Sequence, residues 1–599
     1  MEHFDLILEN GLFFDGRGAP PVIRHIGIKD GCVAAISATP IPSGGARVMD
    51  VAGDWVMPGF IDTHTHYDAE LLVAPGLEES VRHGVTTVIT GSCSLSAVFT
   101  SPLDTADMFS RVEALPYEPV LQILKEEKSW STPQGWVDTL HARGLGPNVA
   151  SLLGHSDIRA QVMGLERSTT GERPTQEERV RMIQGLEDAL DAGFVGLSTM
   201  TNPWDKLAGE RCRSRSLPST HATWKEYGWF HKVLRARDRV LQSAPNLNTK
   251  VNMVGFFLAS SAWLRGKSLK TTLISAADPK ASEWIPPLFG PVTRLINWVL
   301  RGGLRWQAIP APFEMYADGI DLVVFEEFGA GAAAIHLADE VERNELLATE
   351  EYRREFRRDF DKRFSPRVWH RDFHDAHILA CPEEDLVGLS VGEVAEQRGV
   401  HPCDAFLDLV VAHGSSFRWK TVIANHRPKV LQRMLVEPTV HIGFSDSGAH
   451  LRNMAFYNFP LQLLRMATEA EERGESFMSK EKAVHRLTGE LADWFSLDAG
   501  VLEIGARADI AVIHPDGLDN SLDETYEAPM PQMGIQRMVR RNDGAVRATL
   551  IGGQVAFEEG RFSPALGHQR MGRFLRAGVL ERSPVTSFSA EEVSMEQTA

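Results

Sequence analysis

Residues 58–68 of the chain read PGFIDTHTHYD, and an apolar run, WVM, precedes them at residues 55–57. This order predicts a buried strand that ends at a pair of histidines, His64 and His66. Side chains two positions apart in a strand point to the same side, so both imidazoles enter one pocket. Neutral imidazole is the commonest protein ligand for zinc and similar divalent ions. The stretch therefore predicts a metal or catalytic site at the end of a strand, in preference to ordinary surface or core histidines.

The composition indicates a soluble globular protein. The chain has 599 residues, of which 43% are hydrophobic and 24% are charged, and this length predicts a large domain with a smaller one or with large insertions. The formal net charge of −18 argues against nucleic acid and against an anionic membrane surface, because few positive charges are available to neutralise phosphates. We therefore expect a small-molecule substrate, and the oligomeric state stays open.

The five cysteines are scattered, odd in number and free of C-x-x-C spacing. This pattern predicts reduced thiols and not a disulfide framework. The first residues lack the basic and apolar segments of a signal peptide, and no window of the sequence has the apolar length of a membrane span. The expected location of the protein is therefore the cytoplasm.

The central part of the chain alternates short apolar strands with helices, which is typical of a parallel α/β sheet or barrel. Eight such strands make a (β/α)8 barrel of the TIM type, whose active site lies at the carboxyl ends of the strands. The eight strands are predicted at 56–62, 84–91, 148–154, 194–199, 239–243, 271–275, about 304–309 and 440–445.

Short strands with hairpin turns are predicted at both ends of the chain. We expect these strands to meet in one small β-sandwich domain, built from residues 1–56 and 500–565. Residues 57–499 then form the barrel, with a large insertion at about 310–435. The tail at 583–599 is rich in Ser, Glu and Thr and is expected to be disordered.

Four further polar residues follow predicted strands. Cys93 follows the second strand; a thiolate is a good zinc ligand, although a buried cysteine is often only a small apolar residue. His155 follows the third strand and either lines the pocket or caps the barrel rim. Asp446 follows the eighth strand, where a carboxylate can bind metal and accept a proton, or can cap a helix. His450 lies one helical turn beyond Asp446 and can face the same site.

These motifs resemble the metal-dependent amidohydrolase superfamily and, within it, the N-acyl-D-amino-acid deacylase (D-aminoacylase-like) branch. The resemblance spans residues 4 to about 560, and it is carried by residues 58–68, 83–88, 91–93, 154–159 and 443–450. It implies hydrolysis of a non-peptide C–N bond, with the amide of an N-acyl-D-amino acid as the favoured substrate. Two alternatives stay open: hydrolysis of a cyclic amide or imide, and a non-hydrolytic barrel that has lost metal ligands.

The resemblance also implies a role for each candidate residue. One or two divalent ions, expected to be zinc, would be held by His64, His66, Cys93 and Asp446. Asp446 would also accept the proton of the attacking water and hand it to the departing amine. His155 and Arg159 would stabilise the oxyanion or bind the substrate carboxylate.

The chain departs from the pattern of this family after the fifth and sixth strands, where a histidine usually follows each strand. The fifth strand ends at Gln242, and Asp278 follows the sixth. Both side chains carry oxygen and can partly substitute for the histidines, and no lysine suited to carboxylation follows the fourth strand. Together with His155 and Arg159, Gln242 and His450 complete the candidate substrate-binding residues. The number of metal ions and the preference for D or L substrates stay open.

Overall fold

The computed structural model describes residues 3–246, 250–263, 265–362 and 367–580. The tail at 583–599, which is expected to be disordered, lies outside the described residues. The β-strands are β1 (Leu6–Phe13), β2 (Val22–Lys29), β3 (Cys32–Ser37), β4 (Arg47–Asp50), β5 (Trp55–Pro58), β6 (Phe60–Asp62), β7 (Val85–Thr90), β8 (Asn148–Gly154), β9 (Gly196–Met200), β10 (Val240–Ala244), β11 (Lys270–Ile274), β12 (Gly303–Ala308), β13 (Phe313–Asp318), β14 (His377–Ala380), β15 (Arg418–Ala424), β16 (Val440–Ile442), β17 (Ile510–Ile513), β18 (Tyr526–Met530), β19 (Ile535–Val539), β20 (Val546–Ile551), β21 (Gln554–Glu558) and β22 (Arg561–Phe562).

Helices alternate with the strands through the centre of the chain. The α-helices are α1 (Glu70–Val73), α2 (Glu78–Arg82), α3 (Pro102–Phe109), α4 (Tyr117–Glu127), α5 (Pro133–Ala142), α6 (His155–Met163), α7 (Leu165–Ser168), α8 (Gln176–Asp191), α9 (Trp224–Ala236), α10 (Lys250–Ser260), α11 (Pro286–Leu300), α12 (Gly329–His336), α13 (Glu340–Ala348), α14 (Glu350–Phe360), α15 (Val391–Arg398), α16 (Pro402–His413), α17 (Pro428–Leu435), α18 (Phe459–Glu472), α19 (Lys480–Leu487) and α20 (Gly489–Phe495). Short 3-10 helices lie at Pro218–His221, Lys280–Ser282, Val323–Glu327, Phe373–Asp375, Glu384–Leu386, Gly414–Ser416, Pro515–Gly517, Asn520–Asp523 and Pro531–Met533. In the described ranges, no helix combines the length and the apolar character needed to cross a bilayer.

Eight parallel strands form the barrel in the order β6-β7-β8-β9-β10-β11-β12-β16. Its first and last strands are joined where the N–H of Thr63 donates to the carbonyl of Gly443 (2.8 Å) and that of His66 donates to the carbonyl of Ser447 (2.7 Å). Strands β7 to β10 are buried at every residue, as parallel strands must be when side chains fill the barrel and helices cover it. The predicted (β/α)8 barrel is confirmed.

The segment predicted as one strand at 56–62 is two strands that belong to different sheets. The N–H of Gly59 donates to the carbonyl of Asp509, whereas the N–H of Phe60 donates to the carbonyl of Gly84, both at 2.9 Å. A Cβ at Gly59 would lie 2.1 Å from a threonine side chain, so only glycine fits at this crossing. The Pro-Gly pair therefore fixes the residue at which the first barrel strand begins.

The two ends of the chain meet in a nine-stranded sheet, ordered β22-β21-β20-β17-β5-β1-β2-β3 with β4 beside β1. Strands β5 and β17 join the two ends in antiparallel pairing, with Trp55 opposite Ile513. Apolar side chains from both ends, among them Leu8, Ile28 and Leu550, pack in one cluster. The expected meeting of the two termini is thus observed as strand pairing, and the division of the chain into separate domains stays a prediction.

The segment between β12 and β16 has its own core. It contains the antiparallel sheet β13-β15-β14 and the helices α12 to α16, packed around an aromatic cluster that includes Phe325, Trp369 and Trp419. Phe444, which follows β16, belongs to this cluster and lies 4.7 Å from His64 between ring centroids. The insertion therefore packs against the loop that carries the site residues of the eighth strand.

Candidate metal centre

The two histidines of the H-x-H motif lie directly beyond β6 and are buried, with His64 0% and His66 1% exposed. Their ring centroids are 5.4 Å apart. The Nε2 atoms of His64 and His66 lie 3.4 Å and 3.2 Å from the same atom, Oδ1 of Asp446. The two-residue spacing thus brings both imidazoles to one point, as strand geometry requires.

Cys93 reaches the same point from the end of β7. Its Sγ lies 3.2 Å from Nε2 of His64, and its N–H donates to Oε1 of Gln242 at 3.0 Å. The turn into Cys93 depends on Gly91, which has a φ of +77° and where a Cβ would lie 2.0 Å from the carbonyl oxygen of Leu152. Since only glycine fits there, the Gly-Ser-Cys sequence itself places the thiol beside the histidines.

Asp446 enters the site from the loop after β16. Its φ is +60° and that of His450 is +48°, in the left-handed region that costs energy for residues other than glycine and that clusters at functional sites. A Cβ at Gly448 would lie 2.7 Å from the backbone of His66, so this loop packs directly on the H-x-H segment. The close packing holds the carboxylate between the two imidazoles.

Three separations between donor atoms of these residues are close to those in a tetrahedral zinc site. Zinc bonds of about 2.0–2.3 Å place neighbouring donor atoms about 3.3–3.6 Å apart. The separations are 3.2 Å from His64 Nε2 to Cys93 Sγ, and 3.4 Å and 3.2 Å from Oδ1 of Asp446 to the two imidazoles. Within the described ranges, neither ring nitrogen of His66 makes a regular hydrogen bond, although both are buried. Because a divalent cation would satisfy such nitrogens, the residues fit a metal ion.

Glu113 is a site residue that the sequence does not predict. Its Oε1 lies 3.4 Å from Nδ1 of His66, and its Oε2 lies 3.8 Å from Nε2 of His450. Donor atoms of His66, Glu113 and Asp446 are close enough to hold a cation together. Glu113 is carried by a turn that follows α3, so neither motif spacing nor position at a strand end marks it.

Burial and neighbouring charges shift the pKa values of the site in opposite directions. Burial lowers the pKa of His64 to about 4, which leaves its ring neutral. Burial also acts to lower the pKa of His66, but the carboxylates of Glu113 and Asp446 outweigh it and raise this pKa to about 9. Burial raises the pKa of Glu113 to about 8 and that of the Cys93 thiol well above its usual range. A bound cation is therefore needed to hold Cys93 as a thiolate.

Gln307, near the end of the seventh strand, holds the ring of His64. Its Oε1 lies 3.1 Å from Nδ1 of His64, and its Nε2 donates to Oγ1 of Thr63 at 3.1 Å. Because an amide oxygen only accepts, Nδ1 carries the proton and Nε2 keeps its lone pair for a metal. The strand-end rule could have identified Gln307, since β12 ends at the next residue.

Replacing Gln307 with leucine is expected to lower the affinity for zinc about 10- to 100-fold, because the outer partner of a metal-binding histidine fixes its tautomer and orientation. The Gln307→Glu variant keeps an acceptor oxygen and should retain most of the affinity. Competition with a chromogenic chelator measures both variants. Equal affinities for Gln307→Leu and the unmodified protein would show that Gln307 has no positioning role.

His155 and Arg159 lie in α6, and both contact the carboxylate of Glu226 in α9. Nε2 of His155 is 3.0 Å from Oε1 of Glu226, and Nη1 of Arg159 donates to both carboxylate oxygens at 2.8 Å and 2.6 Å. Arg159 is fully buried and Glu226 is 1% exposed. The structure thus brings the two predicted substrate-binding residues together on a buried carboxylate, and their contact with substrate stays a prediction.

The Glu226→Gln substitution is expected to lower the free energy of unfolding by about 3–5 kcal/mol, because it leaves the Arg159 guanidinium buried without a counter-charge. As a control, Asp191→Asn removes an exposed partner of Arg237 and should cost at most about 1 kcal/mol. Urea unfolding followed by circular dichroism measures both. A similar small cost for both variants would exclude a structural role of the Glu226 cluster.

Gln242 and His450 contact the candidate ligands, whereas Asp278 is engaged elsewhere. Besides accepting from the N–H of Cys93, Gln242 has a buried Nε2 for which the described part of the chain offers no hydrogen-bond partner. Nε2 of His450 lies 3.9 Å from Oδ2 of Asp446. Asp278 accepts a hydrogen bond from Nε of Arg427 at 2.8 Å, so its carboxylate is held in an ion pair.

Two sequence relatives differ in how much of the chain they match. An uncharacterized protein of Mycobacterium tuberculosis is 52% identical over 588 residues, which cover 96% of each chain. The D-aminoacylase of Alcaligenes xylosoxydans xylosoxydans is 36% identical over 199 residues, which cover 33% of this chain and 37% of that enzyme. No protein-family model matches the chain.

Solved structures of two deacylases share the fold over its whole length. The N-acyl-D-glutamate deacylase of Bordetella bronchiseptica, solved with zinc and a phosphonate inhibitor, has a TM-score of 0.62 at 22% identity, over 96% of this chain and 100% of that chain. A D-aminoacylase described as having a binuclear metal centre has a TM-score of 0.62 at 21% identity over the same shares. These similarities show the fold that the chain shares with these enzymes.

Proposed function

Because the chain belongs to one family with the mycobacterial protein and is related to deacylases of the amidohydrolase superfamily, we propose that it hydrolyses the amide bond of small N-acyl compounds. The favoured substrate is an N-acyl-D-amino acid, and the products are a carboxylate and an amine. The observation that carries the proposal is the convergence of donor atoms beyond β6, β7 and β16, which belong to His64, His66, Cys93 and Asp446.

We assign His64, His66 and Cys93 as ligands of a divalent cation, expected to be zinc, because imidazole and thiolate suit that ion. At these residues a divalent ion would supply Lewis acidity, which polarises an amide carbonyl and lowers the pKa of water. Three protein ligands leave one position free, as in catalytic zinc sites, whereas four permanent ligands would close the site. Asp446 is therefore assigned a role other than that of a permanent ligand.

Asp446 is the proposed general base. Its side chain is 12% exposed, more than those of His64 and His66, so it lies on the side of the site that solvent reaches. Oδ1 faces the two imidazoles, and Oδ2 lies 3.9 Å from Nε2 of His450. The carboxylate accepts a proton from the attacking water and returns it to the nitrogen of the leaving amine. Burial acts to raise its pKa, but the two imidazoles outweigh burial and hold the pKa below its usual range, so the base is ionised at neutral pH.

Glu113 and Gln307 have matching positioning roles. The amide oxygen of Gln307 accepts a hydrogen bond from Nδ1 of His64, and the carboxylate of Glu113 lies 3.4 Å from Nδ1 of His66. Both partners favour a ring orientation in which Nε2 faces the metal site.

Amine release from N-acetyl-D-amino acids by the zinc-loaded protein tests the proposed function. We expect kcat/KM at least about tenfold higher for D than for L substrates, the difference that a single well-placed contact can supply. Five- and six-membered cyclic imides serve as the competing substrate class. Hydrolysis of imides alone would replace the proposed substrate, and no hydrolysis of either class would favour a barrel that has lost its catalytic function.

A further inference from the structure

The helix α11, which follows the sixth barrel strand, turns an apolar face toward solvent. Its outward side chains Leu288, Val292, Leu295 and Val299 are between 42% and 58% exposed. Helical residues three or four positions apart share one face, so these four form a continuous stripe. The ordinary pattern, with apolar residues inward and polar residues outward, is reversed on this side of the helix.

Exposed tryptophans extend the stripe at one end. Trp298 is 78% exposed and Trp263 is 67% exposed. The N–H of Ala262 donates to the carbonyl of Arg301 at 3.2 Å, which places the Trp263 segment beside the carboxyl end of α11. Large exposed apolar patches of this kind mark interaction surfaces.

Basic side chains border the same end of the apolar surface. Arg265, Lys267 and Arg301 are all exposed. Within the described parts of the chain, none of the three forms an ion pair, although the chain as a whole carries a net charge of −18. Cations without carboxylate partners therefore stand beside exposed indole rings.

A basic cavity of about 500 Å³ lies next to this corner, between α9 and the segment that follows α10. Its lining includes His231, Lys232, Arg235, Arg265 and Lys267. None of the described residues that line the cavity carries a carboxylate. His231 is 6% exposed, and its Nε2 has no hydrogen-bond partner among the residues that the structure describes. Arg235 is held in place by donating to the carbonyl of Lys267 at 2.8 Å. This donor set suits an anion with several oxygen atoms.

We propose that this surface binds an anionic phospholipid bilayer, with a lipid phosphate in the basic cavity and with Trp263 and Trp298 at the level of the headgroups. Indole rings favour the membrane interface, and exposed arginine and lysine are attracted to anionic lipids. An amphipathic helix with such flanks lies in the plane of the interface. The inference does not depend on the proposed hydrolase activity.

The negative net charge of the whole chain does not prevent this surface from binding an anionic membrane. Charges farther away than a Debye length are screened, so the local cations and not the whole-chain charge govern contact with a membrane. The proposal therefore departs from the expectation, based on net charge alone, that the chain avoids anionic membranes, and the vesicle experiment below decides between the two. A symmetric dimer through the same face is the competing occupant, and light scattering in the absence of lipid tests for it.

Flotation of the full-length protein with lipid vesicles tests the proposal. Vesicles of phosphatidylcholine with about 30 mol% phosphatidylglycerol are compared with phosphatidylcholine alone. We expect partitioning at least about tenfold stronger into the anionic vesicles, and weaker partitioning at high salt because salt screens the cations. Equal partitioning into both vesicle types, or none into either, overturns the proposal.

The double variant Arg265→Ala with Lys267→Ala tests the contribution of charge. We expect its partitioning to fall about 25-fold, since each of the two basic side chains near an anionic surface contributes a factor of about five. The matched control is Lys429→Ala, a lysine whose side chain is 74% exposed and which lies in α17. Equal losses in both would exclude specific docking through the basic cavity.

The double variant Trp263→Ala with Trp298→Ala tests the apolar contact, with Val341→Ala as control because Val341 is as exposed as Trp263. We expect only the tryptophan variant to lose vesicle binding. Light scattering in the absence of lipid tests the alternative of a dimer. If the unmodified protein is a dimer that does not bind vesicles, and the tryptophan variant is a monomer, the proposal is overturned. Calorimetric binding of inorganic phosphate without binding to vesicles also overturns it, because the cavity would then be a site for free anions.

Discussion

The Asp446→Asn variant is expected to hydrolyse its amide substrate about 10²- to 10⁴-fold more slowly in kcat, because asparagine cannot accept a proton from water. The substitution is nearly isosteric, and the assigned ligands His64, His66 and Cys93 remain. We therefore expect zinc content close to that of the unmodified protein and a smaller change in KM. Amine release measures kcat, and elemental analysis of the same sample measures zinc.

The control for this variant is Asp191→Asn, which makes the same chemical change at an exposed carboxylate at the end of α8. Full activity is expected for the control. Unchanged kcat in Asp446→Asn would rule out its role as the base. A parallel loss of zinc and activity would instead make Asp446 a permanent ligand.

The His66→Ala variant is expected to lose stoichiometric zinc and all measurable hydrolysis. We expect the zinc affinity to fall by more than about 100-fold, since even the outer partners of metal ligands contribute 10- to 100-fold. Removing the ring also leaves the carboxylates of Glu113 and Asp446 without the imidazole that lies between them. Chelator competition measures the affinity, and circular dichroism checks that the variant is folded.

His413→Ala provides the matched control for this loss. His413 also contacts a carboxylate, Glu383, at 2.8 Å, but it lies in α16 within the insertion. Its removal should leave zinc affinity and activity unchanged. If His66→Ala behaves like His413→Ala, the H-x-H motif does not hold a metal.

The residues at strand ends could be predicted from sequence because they depend on local rules. Alternation along a strand places His64 and His66 on one side, and a parallel barrel collects all of its strand ends on one face. Cys93 and Asp446 follow strands in the same way, and the structure places them within 3.4 Å of His64. The positions of these residues at the ends of successive strands are enough to predict this part of the site.

Contacts made by other elements could not be predicted. Glu226 lies 71 residues from His155 and 67 residues from Arg159, and only the packing of α6 against α9 brings them together. Glu113 comes from a turn whose sequence has no distinguishing motif. The left-handed backbone conformation at Cys93 and Asp446 could not be predicted from the sequence either, because both residue types ordinarily adopt other conformations.

Zinc titration of the metal-free protein tests the central claim most directly. Metal is removed with a chelator, the chelator is removed by dialysis, and hydrolysis of the N-acyl-D-amino acid is followed as zinc is added. We expect no activity without metal and a rise that levels off at about one zinc ion per chain, with no such rise in His64→Ala. Full hydrolysis by the protein without metal, or an equal response in His64→Ala, would contradict the assignment of His64, His66, Cys93 and Asp446 as a metal-dependent catalytic centre.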